Sequence, residues 1–123
     1  MSIEYKVSQN GQRVEAFPKG ILDIKATFDY LNSLVSDNKI KQGATEIVYL
    51  RSGTDFKISH SDGSKIAKYY KELIHNQIIG TTIFVCETLD TYITGRMLQT
   101  HHLIINPDHR VEVFRSESEI INK

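Results

Sequence analysis

The amino-acid sequence predicts an α/β domain built on a mostly parallel sheet. Segments rich in β-branched and aromatic residues alternate along the chain with segments whose apolar residues recur at steps of three and four. Three consecutive β-α-β units follow an opening pair of strands, and right-handed crossovers of this kind place their strands side by side in parallel. The predicted order is β-β-α-β-α-β-α-β-α, in one domain over residues 1–123.

The first two strands are predicted to form an antiparallel hairpin at the edge of the sheet. Residues 3–7 alternate apolar with polar side chains, and the apolar pattern resumes at Val14, Ala16 and Phe17. Between them, Asn10-Gly11 is a dipeptide whose residues tolerate a positive φ, as a tight turn requires.

The first helix is predicted over residues 24–36, because Asp23 can accept a hydrogen bond from the free N–H groups of its first turn. One apolar stripe runs along it, formed by Ile24, Phe28, Leu31, Leu34 and Val35. Residues 45–50 are then expected to form a strand covered on both faces.

A loop is predicted over residues 53–59, followed by a second helix that begins at Ser61 or Asp62 and ends near residue 75. Its apolar positions are Ile66, Tyr70, Leu73 and Ile74. The strand over residues 81–86 has the strongest strand signal in the chain and is expected to be central.

The third helix is predicted to turn Leu89, Ile93, Met97 and Leu98 toward the core. Gly95 inside it costs about 1 kcal/mol relative to Ala. A turn at Pro107-Asp108 leads to a strand over residues 111–114, and Ser116 with Glu119 forms a capping box ahead of a last helix.

Composition excludes several classes of function. Fifteen basic and fifteen acidic residues cancel, which removes the usual electrostatic reason to expect nucleic acid as a partner. The single Cys86 cannot form a disulfide within the chain, and no apolar run has the ~18–20 residues that span a bilayer. Because the N-terminus also lacks the apolar region of a signal peptide, we expect a soluble cytoplasmic protein without an integral membrane segment.

Several short motifs are similar to those of one protein family. They are Ile3-Glu4-Tyr5-Lys6, Gly20-Ile21-Leu22, Val48-Tyr49-Leu50-Arg51, Asp55-Phe56-Lys57-Ile58-Ser59, Gly95-Arg96-Met97 and Val113-Phe114-Arg115. Over nearly its whole length the chain resembles the small bacterial SpoIIAA-like proteins, which share the STAS fold (sulfate transporter and anti-sigma factor antagonist). The resemblance implies a SpoIIAA-like domain that acts as a non-catalytic regulatory or ligand-binding module.

The chain departs from the family at two places. Tyr49 stands where similar sequences commonly have an Asp, and the stretch around Ser59 and Ser61 lacks the Asp that precedes the phosphorylated serine of the anti-sigma antagonists. A serine at a helix N-terminus is most often a cap, because its hydroxyl satisfies a free N–H group. A phosphoswitch at Ser59 or Ser61 is the alternative, since the same N-terminus would stabilise a phosphate.

No metal site, cofactor or catalytic residue is predicted. His101 and His102 are adjacent, so on a helix their side chains diverge by about 100°. A metal site built from His102, Asp108 and His109 is weighed against histidines at an exposed helix end, and the exposed end is expected. Cys86 is expected to be buried as a small hydrophobe with a raised pKa.

The predicted ligand or partner site consists of Arg96, Asp55 and Tyr92. Arg96 lies at the edge of the third helix's apolar stripe, where its guanidinium must reach solvent, an internal carboxylate such as Asp55 or Asp90, or a ligand. Asp55, with Glu87 and Asp90, follows a strand on the side where open α/β sheets usually bind ligands.

Two classes of function stay open on this basis. The leading hypothesis is a non-enzymatic module that binds a protein partner or a small apolar or amphipathic ligand beside the second and third helices. The alternative is a small enzyme of unknown reaction, which would require convergent titratable groups with strongly shifted pKa values.

The predicted core joins one sheet to the helices. Ile47, Ile83, Val85 and Val113 are expected on adjacent strands, with Ile24, Phe28, Leu31, Leu73 and Met97 packed on them. If Phe28 is fully in the core, Phe28→Ala costs ~3–5 kcal/mol.

We predict that the chain forms a homodimer. Four helices leave part of the sheet uncovered, and the apolar pair Ile104 and Ile105 is expected in a short connection, where such residues often contact a partner. Sedimentation at micromolar concentration is the measurement, and a single 14.1 kDa species would contradict the prediction.

Overall fold

Strands and helices alternate along the residues that the computed structural model describes, 3–75 and 78–121, with the side chains of 72–75 and 121 excepted. The strands are β1 (Glu4–Ser8), β2 (Arg13–Phe17), β3 (Gly20–Asp23), β4 (Ala44–Leu50), β5 (Thr54–Lys57), β6 (Ile79–Cys86) and β7 (Arg110–Phe114). The helices are α1 (Ile24–Ser36), α2 (His60–His75), α3 (Leu89–Ile105) and α4 (Ser118–Ile121).

The main sheet has the strand order β1-β2-β4-β6-β7. β1 is antiparallel to β2, and all further pairs are parallel, which confirms the predicted α/β class with an antiparallel hairpin edge. The crossovers all advance in one direction across the sheet, so right-handed connections place α1, α2 and α3 on the same face. Ile120 of α4 packs on the opposite face.

The hairpin turn depends on left-handed backbone conformations. Gln9, Asn10 and Gly11 have φ values of 52°, 58° and 88°. A Cβ at Gly11 would lie 2.3 Å from the carbonyl oxygen of Lys39, so only glycine fits there. The predicted Asn10-Gly11 turn is therefore confirmed, in a three-residue form.

The predicted strand neighbours are confirmed, although they divide between the two faces of the sheet. Ile47 pairs with Ile83, and Val113 pairs with Phe84. Ile47, Ile83 and Val85 are buried on the α4 face, whereas Leu31 packs with the core of the three-helix face. Ile24, Phe28 and Met97 are only partly buried there, and the side chain of Leu73 lies outside the described residues.

The predicted loop over residues 53–59 contains a strand. β5 pairs in parallel with β3, and the two form a separate two-stranded sheet. Each strand has only four residues, too few for the alternation of polar and apolar side chains to distinguish a strand from a loop.

The predicted inward face of α3 is confirmed for Leu98 and, in part, for Met97, but it is wrong for Leu89 and Ile93. Leu89 and Ile93 are 62% and 58% exposed, and the buried positions are Thr91, Gly95, Leu98 and His102. A Cβ at Gly95 would meet the Cys86 sulfur at 2.8 Å, so the helix approaches the sheet through its glycine and turns the larger Leu89 and Ile93 outward. Ile104 and Ile105, predicted in a connection, belong to the last turn of the helix.

We predict that Gly95→Ala destabilises the protein. In an unobstructed helix the change stabilises by ~1 kcal/mol, but here the added methyl group overlaps Cys86 and overpacking costs about 1–3 kcal/mol. Urea denaturation measures the difference in the free energy of unfolding. Thr100→Ala, on the exposed side of α3, is the control, and a stabilised Gly95→Ala variant would contradict the close approach.

Candidate functional site

An apolar cavity of about 40 Å³ lies between the three helices and the carboxyl ends of β4 and β6. Val48 and Leu50 of β4 and Phe84 of β6 form its sheet side. The other lining residues come from the segment before β1, from β3, from the connections and from the helices: Ile3, Pro18, Leu22, Thr27, Tyr30, Ile58, Ile66, Tyr70 and Leu98. It therefore lies at the edge of the sheet where open α/β folds usually bind ligands, and beside α2 and α3.

The two tyrosines in the cavity wall are held by a buried carboxyl group. Tyr30 of α1 donates to Glu46 Oε2 at 2.5 Å, and Tyr70 of α2 donates to Glu46 Oε1 at 2.7 Å. Thr82 of β6 donates to Oε1 at 3.0 Å. Glu46, on β4, is 0% exposed, and its hydrogen bonds join two helices and two strands inside an apolar core.

Burial governs the electrostatics of this group. Desolvation raises the pKa of Glu46, while hydrogen bonds from the three hydroxyls act in the opposite direction. The pKa values of Tyr30 and Tyr70 lie well above the ordinary value because both rings are buried and face the same carboxyl group. Both tyrosines consequently remain neutral donors.

The polar network continues to the far side of the core through His109. Its Nε2 lies 2.9 Å from the Thr82 oxygen. Because the Thr82 hydroxyl hydrogen is used on Glu46, the network assigns a hydrogen to Nε2 of His109. His109 also lines a groove of about 170 Å³ between α3 and β7, beside Arg96.

His102 lies against the network without joining it. Its ring meets the Tyr70 ring edge to face at 4.7 Å, and the Asn106 amide nitrogen lies 3.2 Å from Nδ1. Asn106 also donates to the Ala67 carbonyl oxygen. An amide donor on Nδ1 places the ring hydrogen on Nε2, a buried atom that has no hydrogen-bond partner.

The expectation of exposed histidines is wrong for two of them. His102 and His109 are 1% and 8% exposed. Burial lowers the pKa of His102 to about 3 and also lowers that of His109, so both are neutral near pH 7 rather than cations at a helix end. His102 lies four residues before Asn106 and seven after Gly95, on the buried face of α3 that the sequence pattern misidentified. Among the described residues, no cluster of histidine, cysteine and carboxylate groups could hold a metal ion.

The structure brings together two of the three predicted site residues. Arg96 donates to the Tyr92 hydroxyl at 3.0 Å and, with Arg115, lies against the Tyr92 ring. Asp55 is exposed on β5 and pairs with Lys57 at 3.7 Å. Within the described part of the chain no carboxylate pairs with Arg96, so its exposed guanidinium is available to a ligand or partner.

The two predicted phosphorylation residues occupy the start of α2. The Ser59 hydroxyl accepts from the Asp62 N–H at 3.1 Å, and the Asp62 carboxylate accepts from the Ser59 N–H at 3.1 Å. This reciprocal pair makes Ser59 a helix cap, and the helix begins at His60, just before the predicted position. Ser61 is exposed in the first turn. Phosphorylation of either residue stays a prediction.

Glu46 was missed as a site residue because a single carboxylate in a strand gives no chemical motif. The available signal was positional: Ala44, Glu46, Val48 and Leu50 alternate on one face, so a charged residue replaces an apolar one on the covered side of the strand. The burial of Cys86, by contrast, is confirmed, and desolvation raises the pKa of its thiol to about 12.

Comparisons with protein-family models, curated proteins and solved structures gave no match. No helix within residues 3–75 or 78–121 is both long and apolar enough to traverse a bilayer. The cytoplasmic location and the dimer stay predictions.

We predict that His102 makes the protein acid-sensitive. The unfolded chain takes up a proton on this residue near its ordinary pKa of 6.5, whereas the folded chain does so only near 3. The contribution of neutral His102 to the free energy of unfolding is therefore fully present above pH 6.5 and is lost as the pH falls toward 3. Glu46 acts in the opposite direction, because its raised pKa favours folding at low pH and that contribution is lost as the pH rises through the raised value.

The measurement is the free energy of unfolding of the protein and of His102→Leu between pH 7 and pH 4. We expect a shallower decline with acid in the variant, and His60→Gln, at the exposed start of α2, is the control. Equal slopes for His102→Leu and the parent would contradict the assignment.

Proposed function

We propose that the protein is a non-enzymatic binding module that takes the apolar part of a small ligand into the cavity between the helices and the carboxyl edge of the sheet. The observation that carries the proposal is the state of the polar groups around the cavity. The hydroxyls of Tyr30 and Tyr70 are used on Glu46, and that of Thr27 donates to the Asp23 carbonyl oxygen. The tyrosines and Thr27 therefore present rings and a methyl group to the cavity.

The same arrangement supports binding over catalysis. A general acid or base must reach the substrate at hydrogen-bond distance. Both Glu46 oxygens already accept hydrogen bonds from side-chain hydroxyls, and the residue has no exposed surface. The shifted pKa values at Glu46 and His102 follow from burial in the core, which structural networks also produce.

The size of the cavity limits the ligand. A water molecule requires ~10–15 Å³ of such space, so about 40 Å³ admits a short alkyl segment rather than a ring or a long lipid chain. An amphipathic ligand would leave its polar end outside. Pro18 and Ile58, on the connections that follow β2 and β5, are part of the wall.

The SpoIIAA-like arrangement belongs to this proposal. Two features support it: the order of the main elements agrees with the predicted string, and the antiparallel hairpin lies at the edge of the parallel sheet. A regulatory role in the cytoplasm is the function that the resemblance implies. The small sheet of β3 and β5 is an addition to the predicted string.

The test uses xenon as the probe of the cavity, because it is a single apolar atom and binds dry apolar cavities. Methyl NMR spectra should show saturable shifts for Val48, Leu50 and Leu98 when xenon is added. Val48→Ile, which adds one methylene to the wall, should weaken xenon binding. Val7→Ile adds the same group on β1, away from the cavity, and should leave binding unchanged.

Native mass spectrometry of freshly purified protein complements the probe experiment by detecting a co-purified small molecule. The absence of any saturable shift with xenon would overturn the proposal. Equal effects of Val48→Ile and Val7→Ile would also overturn it.

A further inference from the structure

A second pocket, of about 350 Å³, lies on the α4 face of the sheet at the same carboxyl edge. Phe17 ends β2 and Tyr49 lies near the end of β4, and both belong to the apolar cluster of that face. Lys19, Arg51 and the turn over residues 52–54 complete the wall. The volume falls in the range of roughly 300–1,000 Å³ found for small-molecule sites.

Stacked aromatic rings hold Arg51 in place. The Phe17 and Tyr49 rings are parallel to within 3°, with centroids 5.2 Å apart. The guanidinium carbon of Arg51 lies 5.4 Å from the Phe17 centroid and 5.1 Å from the Tyr49 centroid. Cation–π attraction to two rings restricts the guanidinium without using its N–H donors.

The cations of this pocket have no anionic partner within the described residues. Neither Lys19 nor Arg51 takes part in an ion pair, whereas Lys6 and Arg13 on the neighbouring strands both pair with Glu15. Both side chains are exposed at the mouth of a concave site. Two unpaired cations beside an aromatic surface are the features that recognise an anion with an apolar body.

Three carboxylates contact the lining residues of the pocket. Glu15 and Glu117 share the single hydrogen of the Tyr49 hydroxyl, at 2.9 and 3.0 Å, and Glu15 also pairs with Lys6 and Arg13. Glu87 accepts from the Ser52 N–H at 3.2 Å. Among the residues that the structure describes, none of these carboxylates pairs with Arg51, so its N–H groups are left for a ligand.

We propose that this pocket binds a small organic anion. Its carboxylate or phosphate group lies on Arg51, whose planar fork of donors matches two oxygens, with Lys19 as a second positive charge. Its apolar body lies in the pocket beside the aromatic pair. The site is distinct from the cavity on the helix face, with which it shares only Pro18, so the two proposals can fail separately.

The probes are phenyl phosphate, benzoate, inorganic phosphate and phenol, followed by the amide NMR signals of Ser52, Gly53 and Thr54. We expect saturable shifts with phenyl phosphate and benzoate and none with phenol. The stronger of the two organic anions identifies the preferred charged group. Inorganic phosphate that binds as tightly as phenyl phosphate would overturn the role of the apolar body, and binding of phenol would overturn that of the charge.

Variants test whether Arg51 carries the interaction. Arg51→Met should weaken binding of the preferred organic anion about tenfold or more, and Arg51→Lys should give an intermediate loss because it keeps the charge without the planar fork. Arg110→Met removes the same charge at the start of β7, outside the pocket, and should leave binding unchanged. Affinities of Arg51→Met and Arg110→Met within twofold of each other would overturn the proposal.

Discussion

The Glu46 carboxyl group is the contact on which the helix face of the domain depends. Three hydroxyls, from α1, α2 and β6, converge on it within a largely apolar core. The hydrophobic packing of α1 and α2 on the sheet is non-directional, whereas each hydrogen bond to Glu46 requires a particular distance and angle. The carboxyl group fixes their positions, because any shift that breaks one of these bonds leaves a buried polar group without a partner. The hydrogen bonds to Glu46 also set the orientation of the two tyrosine rings that border the cavity.

The sequence predicted what depends on local pattern. The hairpin, the parallel strands and the extent of α1 follow from periodicity and from the Asp23 cap, which accepts from the Ala26 N–H as expected. The buried face of α3 does not follow from periodicity. The spacing shows that Leu89 and Ile93 are apolar, but it cannot show that the helix approaches the sheet most closely at Gly95. Alternation along β4 places Glu46 on the covered face, but the contacts of Glu46 and His102 with Tyr70 do not follow from pattern, since Tyr70 lies far from both in the chain.

The carboxyl edge of the sheet presents different chemistry on its two faces. Alternation along β4 turns Val48 and Leu50 toward the helices and Tyr49 toward α4. The helix side is enclosed by three helices and has its hydroxyls occupied, so it accommodates apolar groups. The α4 side has the shortest helix of the fold as its cover, and long side chains such as Arg51 complete it while keeping their charges in water. The carboxyl end of β4 thus supplies wall residues both to the cavity on the helix face and to the pocket on the α4 face.

The two-stranded sheet of β3 and β5 links the chain entering α1 to the chain entering α2. Leu22 of β3 and Ile58, just after β5, both line the cavity, so this small sheet forms part of its roof. Because β3 and β5 pair with each other and with no strand of the main sheet, neither can separate from the other without losing the whole ladder. Leu22 and Phe56 pack this small sheet on the core of the helix face, so apolar contacts rather than strand pairing join it to the five-stranded sheet. The hydrogen bonds that hold the roof of the cavity are therefore separate from those that hold the main sheet together.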